Sequence, residues 1–573
     1  MKKKIIIFLI GLVLLVLGVS FAYYTIQIVG TGSNMVMETA YLRLVLTDNA
    51  SIVEDSIIPG WSTSKTFTIE NKANANTTYD LLIENFQNTF VTNGFLQFKI
   101  ESEDGYNTIS DDNNYINVPK SQIAKKLVLA YNISLDKDAK HEYTISFRYK
   151  DSEENQAADM QKILSGNIGI QNGTESTDLV ITDLDSSTLK YHILSDNGVY
   201  NTEWAEERTN FNTAYSDSAR TFFRTNNAEL GETVLYYAGD ARNNWVIFGK
   251  CPQTGGKNCT PGRDLYWRII RTNEASTGGG IRLLYSGSGL VTDSQGNKII
   301  GITQNGYIGT SNWYSLDDKP NYVGYTIGTD DYTEGTTTLS NIRGNNADSN
   351  IKIAVDNFYK TTFENTDYEN YIDTKAVYCN DRSTTDDKSG GLTKITIFGA
   401  YGRLESSKAP SLACGANTMG FKERAEWAYY EGNTYEDRYS KDVYNVNGVQ
   451  FTNGWLDYPI ALMTGDEVIY AGGNVLNNNL RAWYGLNAST SEITSERSIV
   501  GSKEWWTMSP TFSRGYTGVF NVLSTSGYFG RLNSAGPSVK NSYLIRPVLS
   551  LTANTKWLSG NGTIDSPYQI NVE

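Results

Sequence analysis

Between residues 24 and 171 apolar and polar side chains alternate, which is the period of a strand that buries one face and wets the other. Tyr41-Leu42-Arg43-Leu44-Val45-Leu46, Lys65-Thr66-Phe67-Thr68-Ile69-Glu70, Phe95-Leu96-Gln97-Phe98-Lys99-Ile100 and Glu142-Tyr143-Thr144-Ile145-Ser146-Phe147-Arg148-Tyr149 all carry the pattern. Pro59-Gly60, Asn93-Gly94 and Asp104-Gly105 punctuate it as turns. Short strands with one apolar face each need a second sheet to cover that face, so a two-sheet sandwich is the expected solution.

Ahead of this region, Lys2, Lys3 and Lys4 precede an apolar run from Ile5 to Val19, followed by Ser20-Phe21-Ala22. A basic head before such a run is an export signal, so the rest of the chain is expected outside the membrane, extracellular or at the cell surface. Two fates stay open for residues 1–22. Small residues at Ser20 and Ala22 suit a signal peptidase, and the run is also long enough to remain as a membrane anchor.

With 573 residues the chain exceeds one core, and the polar run Asn172-Gly173-Thr174-Glu175-Ser176-Thr177-Asp178 suggests a boundary. The expected organisation is a sandwich over 23–171, a linker over 172–186 and a loop-rich head over 187–573. The fold class is mostly β with a mixed α+β head, in keeping with 38 tyrosines and 51 glycines. A net charge of -14 argues against nucleic acid as a partner. Four cysteines in an exported chain suggest two disulfides, Cys251 with Cys259 across a turn-rich loop and Cys379 with Cys414. A zinc site is the weaker alternative, because no C-x-x-C spacing occurs and both histidines, His141 and His192, precede all the thiols.

Within the head, a short helix is expected near Thr188–Leu194, capped by Ser186 or Ser187, and His192 on it reads as a packing residue. A second helix is expected near Ile351–Tyr359, with Ile351, Val355 and Phe358 on one face. A third near Asp466–Tyr470 would start on the capping box Thr464-Gly465-Asp466-Glu467 and stop at Gly472-Gly473. The connections 325–350 and 380–413 read as polar loops.

Two resemblances add to this. Ser20-Phe21-Ala22-Tyr23-Tyr24, then Ile58-Pro59-Gly60 before Lys65-Thr66-Phe67-Thr68-Ile69-Glu70-Asn71, resembles camelysin and TasA-type surface proteins of Gram-positive bacteria. The resemblance covers about 170 residues and implies a jelly-roll-like sandwich acting as a stalk or assembly unit. No H-E-x-x-H is present, so a metalloprotease activity does not carry over. Farther on, Tyr266-Trp267-Arg268-Ile269-Ile270-Arg271, Trp505-Trp506-Thr507-Met508-Ser509-Pro510 and Arg546-Pro547-Val548-Leu549-Ser550-Leu551 resemble a domain of unknown function in exported Firmicutes proteins, itself similar to C-type-lectin-like domains. That resemblance implies a ligand-binding head.

Chemistry is sparse in the sequence. Neither histidine has a catalytic partner nearby, and the acidic pairs Asp317-Asp318 and Asp330-Asp331 read as solvated loop residues, so an enzyme is not expected. No cofactor is implied: the E-P-N, Q-P-D and W-N-D triplets of calcium lectins do not occur, so calcium-bridged sugar binding is not expected, while calcium held by loop aspartates is left open. The candidate ligand surface is Arg514, Tyr516, Phe520, Asn521, Tyr528, Arg531, Asn533 and Asn541, set among glycines. Tyrosine, arginine and asparagine on such turns suit recognition, the rings burying area at small entropic cost and the amides adapting their hydrogen bonds. Closing hairpins of a sheet would also account for about half of them. The expected function is adhesion, a head recognising a glycan or protein ligand. A matrix or fibre subunit, with self-association, is the alternative.

Overall fold

The computed structural model describes residues 25–28, 35–38, 43–48, 52–54, 57–90, 94–108, 115–119, 121–151, 156–159, 162–173, 184–218, 220–228, 231–253, 259–275, 278–288, 290–292, 298–300, 306–316, 319–327, 333, 347–382, 395–413, 426–430, 444–446, 449–451, 454–476, 482–484, 504–523, 528 and 530–572. The leader therefore lies outside the described residues, and among those described no helix is long and apolar enough to cross a membrane. The fold is mostly β, 42% strand against 13% helix. Contacts divide the chain into two units, Met1–Asp183 with Leu194–Glu206, and Leu184–Ile193 with Glu207–Glu573.

The first unit has eleven described strands: β1 (Thr25–Ile28), β2 (Met35–Glu38), β3 (Arg43–Asp48), β4 (Ile52–Glu54), β5 (Ser62–Asn71), β6 (Thr77–Asn88), β7 (Leu96–Glu101), β8 (Ile116–Asn117), β9 (Ser121–Leu135), β10 (Lys140–Tyr149) and β11 (Ile163–Asn172). They form two sheets, ordered β4-β1-β11-β6-β9 and β2-β3-β5-β10-β7-β8. The alternation does the expected work. Phe67, Ile69, Phe98, Ile100, Tyr143, Ile145 and Phe147 of one sheet meet Tyr79, Leu81, Ile83, Leu127, Leu129, Ile168 and Ile170 of the other in one core. In register, Tyr143 stands opposite Phe67 and Phe147 opposite Phe98, and both pairs stack. The Pro59-Gly60 turn is closed by Trp61 N–H on the Ile58 carbonyl at 2.9 Å, with Gly60 at φ 83°, the left-handed position that a type II turn needs at its third residue. Residues 194–206 add Trp204, which joins this core and donates its indole N–H to the Val128 carbonyl at 2.7 Å.

The second unit holds a large mixed sheet. Asp264–Thr272 pairs with Trp245–Lys250, Val234–Tyr237 and Ile281–Ser288, and Ile281–Ser288 pairs in turn with Pro547–Leu551. A further sheet carries the hairpin Trp505–Arg514 and Thr517–Val522, flanked by Tyr543–Ile545, Ile395–Ile397 and Leu532–Asn533. The chain passes from one sheet to the other at Arg546. Its guanidinium is fully buried and donates to the carbonyls of Tyr484 (2.7 Å) and Tyr285 (3.2 Å) and to Ser286 Oγ (3.2 Å).

Three helices fall near their expected places. The first, Leu189–Asp196, runs two residues past the expected end. Thr188 caps it, its Oγ1 accepting from Tyr191 N–H at 3.3 Å, while Ser187 is engaged by Asp185; the expected caps Ser186 and Ser187 are corrected on that ground. His192 packs, its ring stacked on Trp557 at 3.7 Å. The second, Asn350–Thr362, buries Ile351, Val355 and Tyr359, with Ser349 as its cap; Phe358 is only half-buried. The third, Gly465–Tyr470, has both bonds of the capping box, Glu467 N–H to Thr464 Oγ1 and Thr464 N–H to Glu467 Oε2, each 3.0 Å.

Cys251 and Cys259 form a disulfide with Cα atoms 5.8 Å apart, across the loop where it was expected. Cys379 is disulfide-bonded too, and Cys414 lies outside the described residues.

Candidate functional site

The hairpin that carries the expected ligand surface turns at Arg514-Gly515-Tyr516. Gly515 sits at φ 81°, where a side chain would be strained, and Arg514 N–H bonds the Tyr516 carbonyl at 2.9 Å. From that turn the strand Thr517–Val522 runs away, so its two ends lie about 17 Å apart at the usual rise per residue. The structure separates the candidates accordingly. Arg514 and Tyr516 sit at the turn, and Tyr516 reaches across to the Ala535 carbonyl at 3.2 Å. Asn533 holds Ala535 N–H at 3.1 Å, and Asn541, exposed, approaches the Tyr543 hydroxyl at 3.4 Å.

Tyr528 and Arg531 belong to the opposite end. Tyr528 is 44% exposed and the Arg531 guanidinium lies 5.3 Å from its ring centroid, a cation–π pair. Arg531 N–H closes the turn on the Tyr528 carbonyl at 3.2 Å, and Tyr484 supports it from beneath through its hydroxyl on the Gly530 carbonyl at 2.8 Å. Phe520 and Asn521 offer no surface at all, both being fully buried. Asn521 stands opposite Asn533 in register and donates its amide to Glu504. A strand covered on both faces buries consecutive residues, so alternation cannot separate inside from outside there.

Beneath these surfaces lies a group of buried charges that sequence reasoning missed. Glu467, on the first turn of its helix, accepts from Arg271 Nε at 3.0 Å and Arg282 Nη1 at 2.9 Å. Burial alone would raise its carboxyl, and the two guanidinium groups outweigh burial and hold it below its ordinary value. Arg403 meets Asp381 at 2.7 Å and Asp466 at 2.9 Å. The stretch 380–413, expected as a polar loop, thus contributes a buried arginine and the strand Ile395–Ile397. A cavity of about 40 Å³ lies among Arg271, Arg282, Asp381, Asp466, Glu467 and Ser509. That is room for a water molecule and not for a sugar or peptide. Arg271 and Arg282 meet Glu467, Arg403 meets Asp381 and Asp466, and the buried Glu274 lines the same cavity. The one signal available was arginine interleaved through otherwise apolar strands at Arg268, Arg271 and Arg282.

The open question of a metal has a structural answer at one place. Among the described residues, Asp348, Asp356 and Asp457 are the one group of acids close enough to share an ion. Lys352 already fills it, its Nζ meeting Asp348 at 3.2 Å, Asp356 at 2.7 Å, and Asp457. Asp317, Asp318, Asp330 and Asp331 lie outside the described residues.

In the first unit, buried His141 shares a hydrogen bond with the Tyr79 hydroxyl at 2.7 Å, and Tyr79 also meets the Tyr143 hydroxyl. Burial pushes the imidazole below its ordinary value. The aromatic chain continues to the backbone, since Tyr143 accepts from Tyr106 N–H at 3.1 Å.

No family model matches the chain, and no curated protein matches it either.

Proposed function

We propose that this chain is an exported cell-surface binding protein in which a C-type-lectin-like head recognises a glycan or protein ligand and a sandwich of camelysin or TasA type serves as stalk. The observation that carries the reading is the Tyr528–Arg531 pair: a large ring 44% exposed, with a guanidinium over it, on a turn braced by buried Tyr484. A preorganised aromatic and a planar cation are the side chains that carry most binding energy at protein surfaces. Arg271, Arg282 and Arg403 are each paired with a buried carboxylate, which suits a scaffold presenting a surface.

The test is an array of glycans and proteins probed with the full chain, with and without a chelator, followed by Tyr528→Ala and Arg531→Ala on any ligand found. Loss of at least tenfold in affinity with an unchanged melting temperature supports the reading. A ligand bound equally well by both variants places the site elsewhere. Turnover on a hydrolase panel with a silent array replaces the reading by an enzymatic one.

A further inference from the structure

His141 ends a chain of buried hydrogen bonds that runs to the surface of the first unit. Its Nδ1 meets the Tyr79 hydroxyl, Tyr79 meets the Tyr143 hydroxyl, and Tyr143 accepts from Tyr106 N–H in the loop 102–108, whose Glu103, Asp104 and Asn107 are exposed. Among the described residues neither hydroxyl has a further partner. One placement of the hydrogens satisfies every group. Tyr106 N–H points to Tyr143, Tyr143 O–H to Tyr79, and Tyr79 O–H to Nδ1 of a neutral imidazole that carries its own proton on Nε2. A proton added at Nδ1 turns that acceptor into a donor. One of the two buried hydroxyl hydrogens then has no acceptor, whichever way the hydroxyls rotate.

The loop is the end of the chain that can yield. Ser102 Oγ accepts from Gly105 N–H at 3.0 Å, Asn107 Oδ1 accepts from Ser102 N–H at 2.9 Å, and the Asn107 amide donates to the Ser102 carbonyl at 2.9 Å. A loop closed on itself in this way can move as one piece. Its base is tied by Thr108 N–H on the Ile100 carbonyl at 3.0 Å, so what it has to leave is Tyr143 and the rim of the core, where the Tyr106 ring packs. A Cβ on Gly105 would lie 2.3 Å from Tyr143 Oη. The backbone therefore covers the hydroxyl, and water reaches it only when the loop lifts.

We propose that this chain is a pH-sensitive latch: protonation of His141 lifts the loop 102–108 off Tyr143, and water then accepts the stranded hydroxyl hydrogen. It stands independently of what the head binds. The carboxylates that act on His141 are Asp104 of the loop and Asp136 just past β9, and both favour the imidazolium. Burial outweighs them and disfavours the cation in the closed form. On β10 its neighbours Lys140 and Glu142 pair with each other, and opposite it on β5 stand Ile69 and then Glu70, which pairs with Lys72. The phenols of Tyr79, Tyr106 and Tyr143 are raised by burial and stay neutral throughout. Lifting carries Asp104 away but hydrates the ring, and burial is the larger effect, so the lifted form binds the proton more tightly and acid favours it. Ser102, Glu103 and Asp104 form one wall of a hollow of about 520 Å³, facing Lys140, Glu142 and Thr144, and that wall moves with the loop.

Amide hydrogen exchange of the full chain at pH 7 and pH 5, each rate divided by its intrinsic value at that pH, tests this. We expect the Tyr106 amide to lose about tenfold or more of its protection at pH 5, and the amides of β5 and β10 to lose less. His141→Asn cannot take the proton and keeps at pH 5 the loop protection it has at pH 7. Tyr143→Phe removes the acceptor of Tyr106 N–H and leaves the loop unprotected at both values. Should a variant fail to fold, the wild-type comparison of loop with strands decides alone. Equal Tyr106 protection at the two values overturns the latch, as does a loss in His141→Asn as large as in wild type, or a Tyr143→Phe loop that stays protected. A loss at Tyr106 no larger than that of β5 and β10 overturns it too, because the whole unit is then opening.

Discussion

Arg403 grips Asp466 with two parallel hydrogen bonds, Nε to Oδ1 at 3.0 Å and Nη2 to Oδ2 at 2.9 Å. Ser411 N–H adds a third bond to the same carboxylate at 2.9 Å, and Asp381 meets the same Nη2 at 2.7 Å. Three stretches of the head, around Asp381, around Arg403 and Ser411, and around Asp466, thereby meet at one buried cation. Arg403→Met strands two carboxylates in the interior, and the expected cost is about 3–5 kcal/mol. Arg403→Lys keeps the charge but not the fork, so it should recover only part of the loss. Urea denaturation, fitted to the transition of the second unit, measures both; a cost below about 1 kcal/mol for Arg403→Met would remove the cluster from the account of stability.

His141 predicts an acid-sensitive first unit. Its folded imidazole takes a proton less readily than in the unfolded chain, where the ordinary value is near 6.5, because burial disfavours the cation. As pH falls below about 6.5 the unfolded state binds the proton first, so stability is complete above that value and declines beneath it. Replacing His141 by Asn should flatten the stability of the first unit between pH 7 and 5, read as its melting temperature across that range. Parallel curves for variant and wild type would contradict the assignment.

What could be read in advance, and what could not, divides by sequence distance. The capping box Thr464 to Glu467, the Pro59-Gly60 turn and the Cys251–Cys259 bridge all involve residues eight or fewer apart, and each was legible because a local constraint dictates it. The buried charges were not. Arg403 finds Asp466 63 residues away, and Glu467 finds Arg282 and Arg271 at 185 and 196, so only the folded topology reveals that these side chains are satisfied inside. Exposure was legible by composition in part, because tyrosine and arginine among glycines do reach the surface at Arg514 and Tyr528. Its extent was not, since Phe520 and Asn521 lie on a strand covered on both faces.

Asp373 predicts the opposite slope with pH. Its carboxyl is buried against the loop Gly278–Gly280, where a Cβ on Gly278 or Gly280 would lie 2.4 or 2.8 Å from Oδ2, and burial pushes its pKa up to about 6. The folded state therefore keeps a proton that the unfolded chain has released, and stability falls as pH rises from about 4 to about 6. Asn in its place keeps an acceptor for Lys375 N–H, which Oδ1 receives at 2.9 Å, and carries no charge. Asp373→Asn should match wild type near pH 4 and exceed it above pH 6 in the melting temperature of the second unit. A variant less stable at every pH would show that the charged form is wanted.

Lys352 is held by three acids at the start of its helix and is 1% exposed, so the ammonium donates each of its three protons to a carboxylate. The ammonium occupies the place among the three acids that an ion would take, so a chelator should leave the melting temperature of the second unit unchanged. Lys352→Met would leave Asp348, Asp356 and Asp457 facing one another without a cation, at a cost of about 3–5 kcal/mol near pH 7. Asp356 is the most buried of the three and its carboxyl is already raised to about 6 by burial, with Lys352 opposing the rise. Without the lysine it moves higher still, so the variant should regain part of its stability on acidification from pH 7 to 5, while wild type gains less. Melting curves of the two proteins at those pH values decide it, and a loss that is the same at both would mean that packing of the lysine stem, rather than its charge, had been removed.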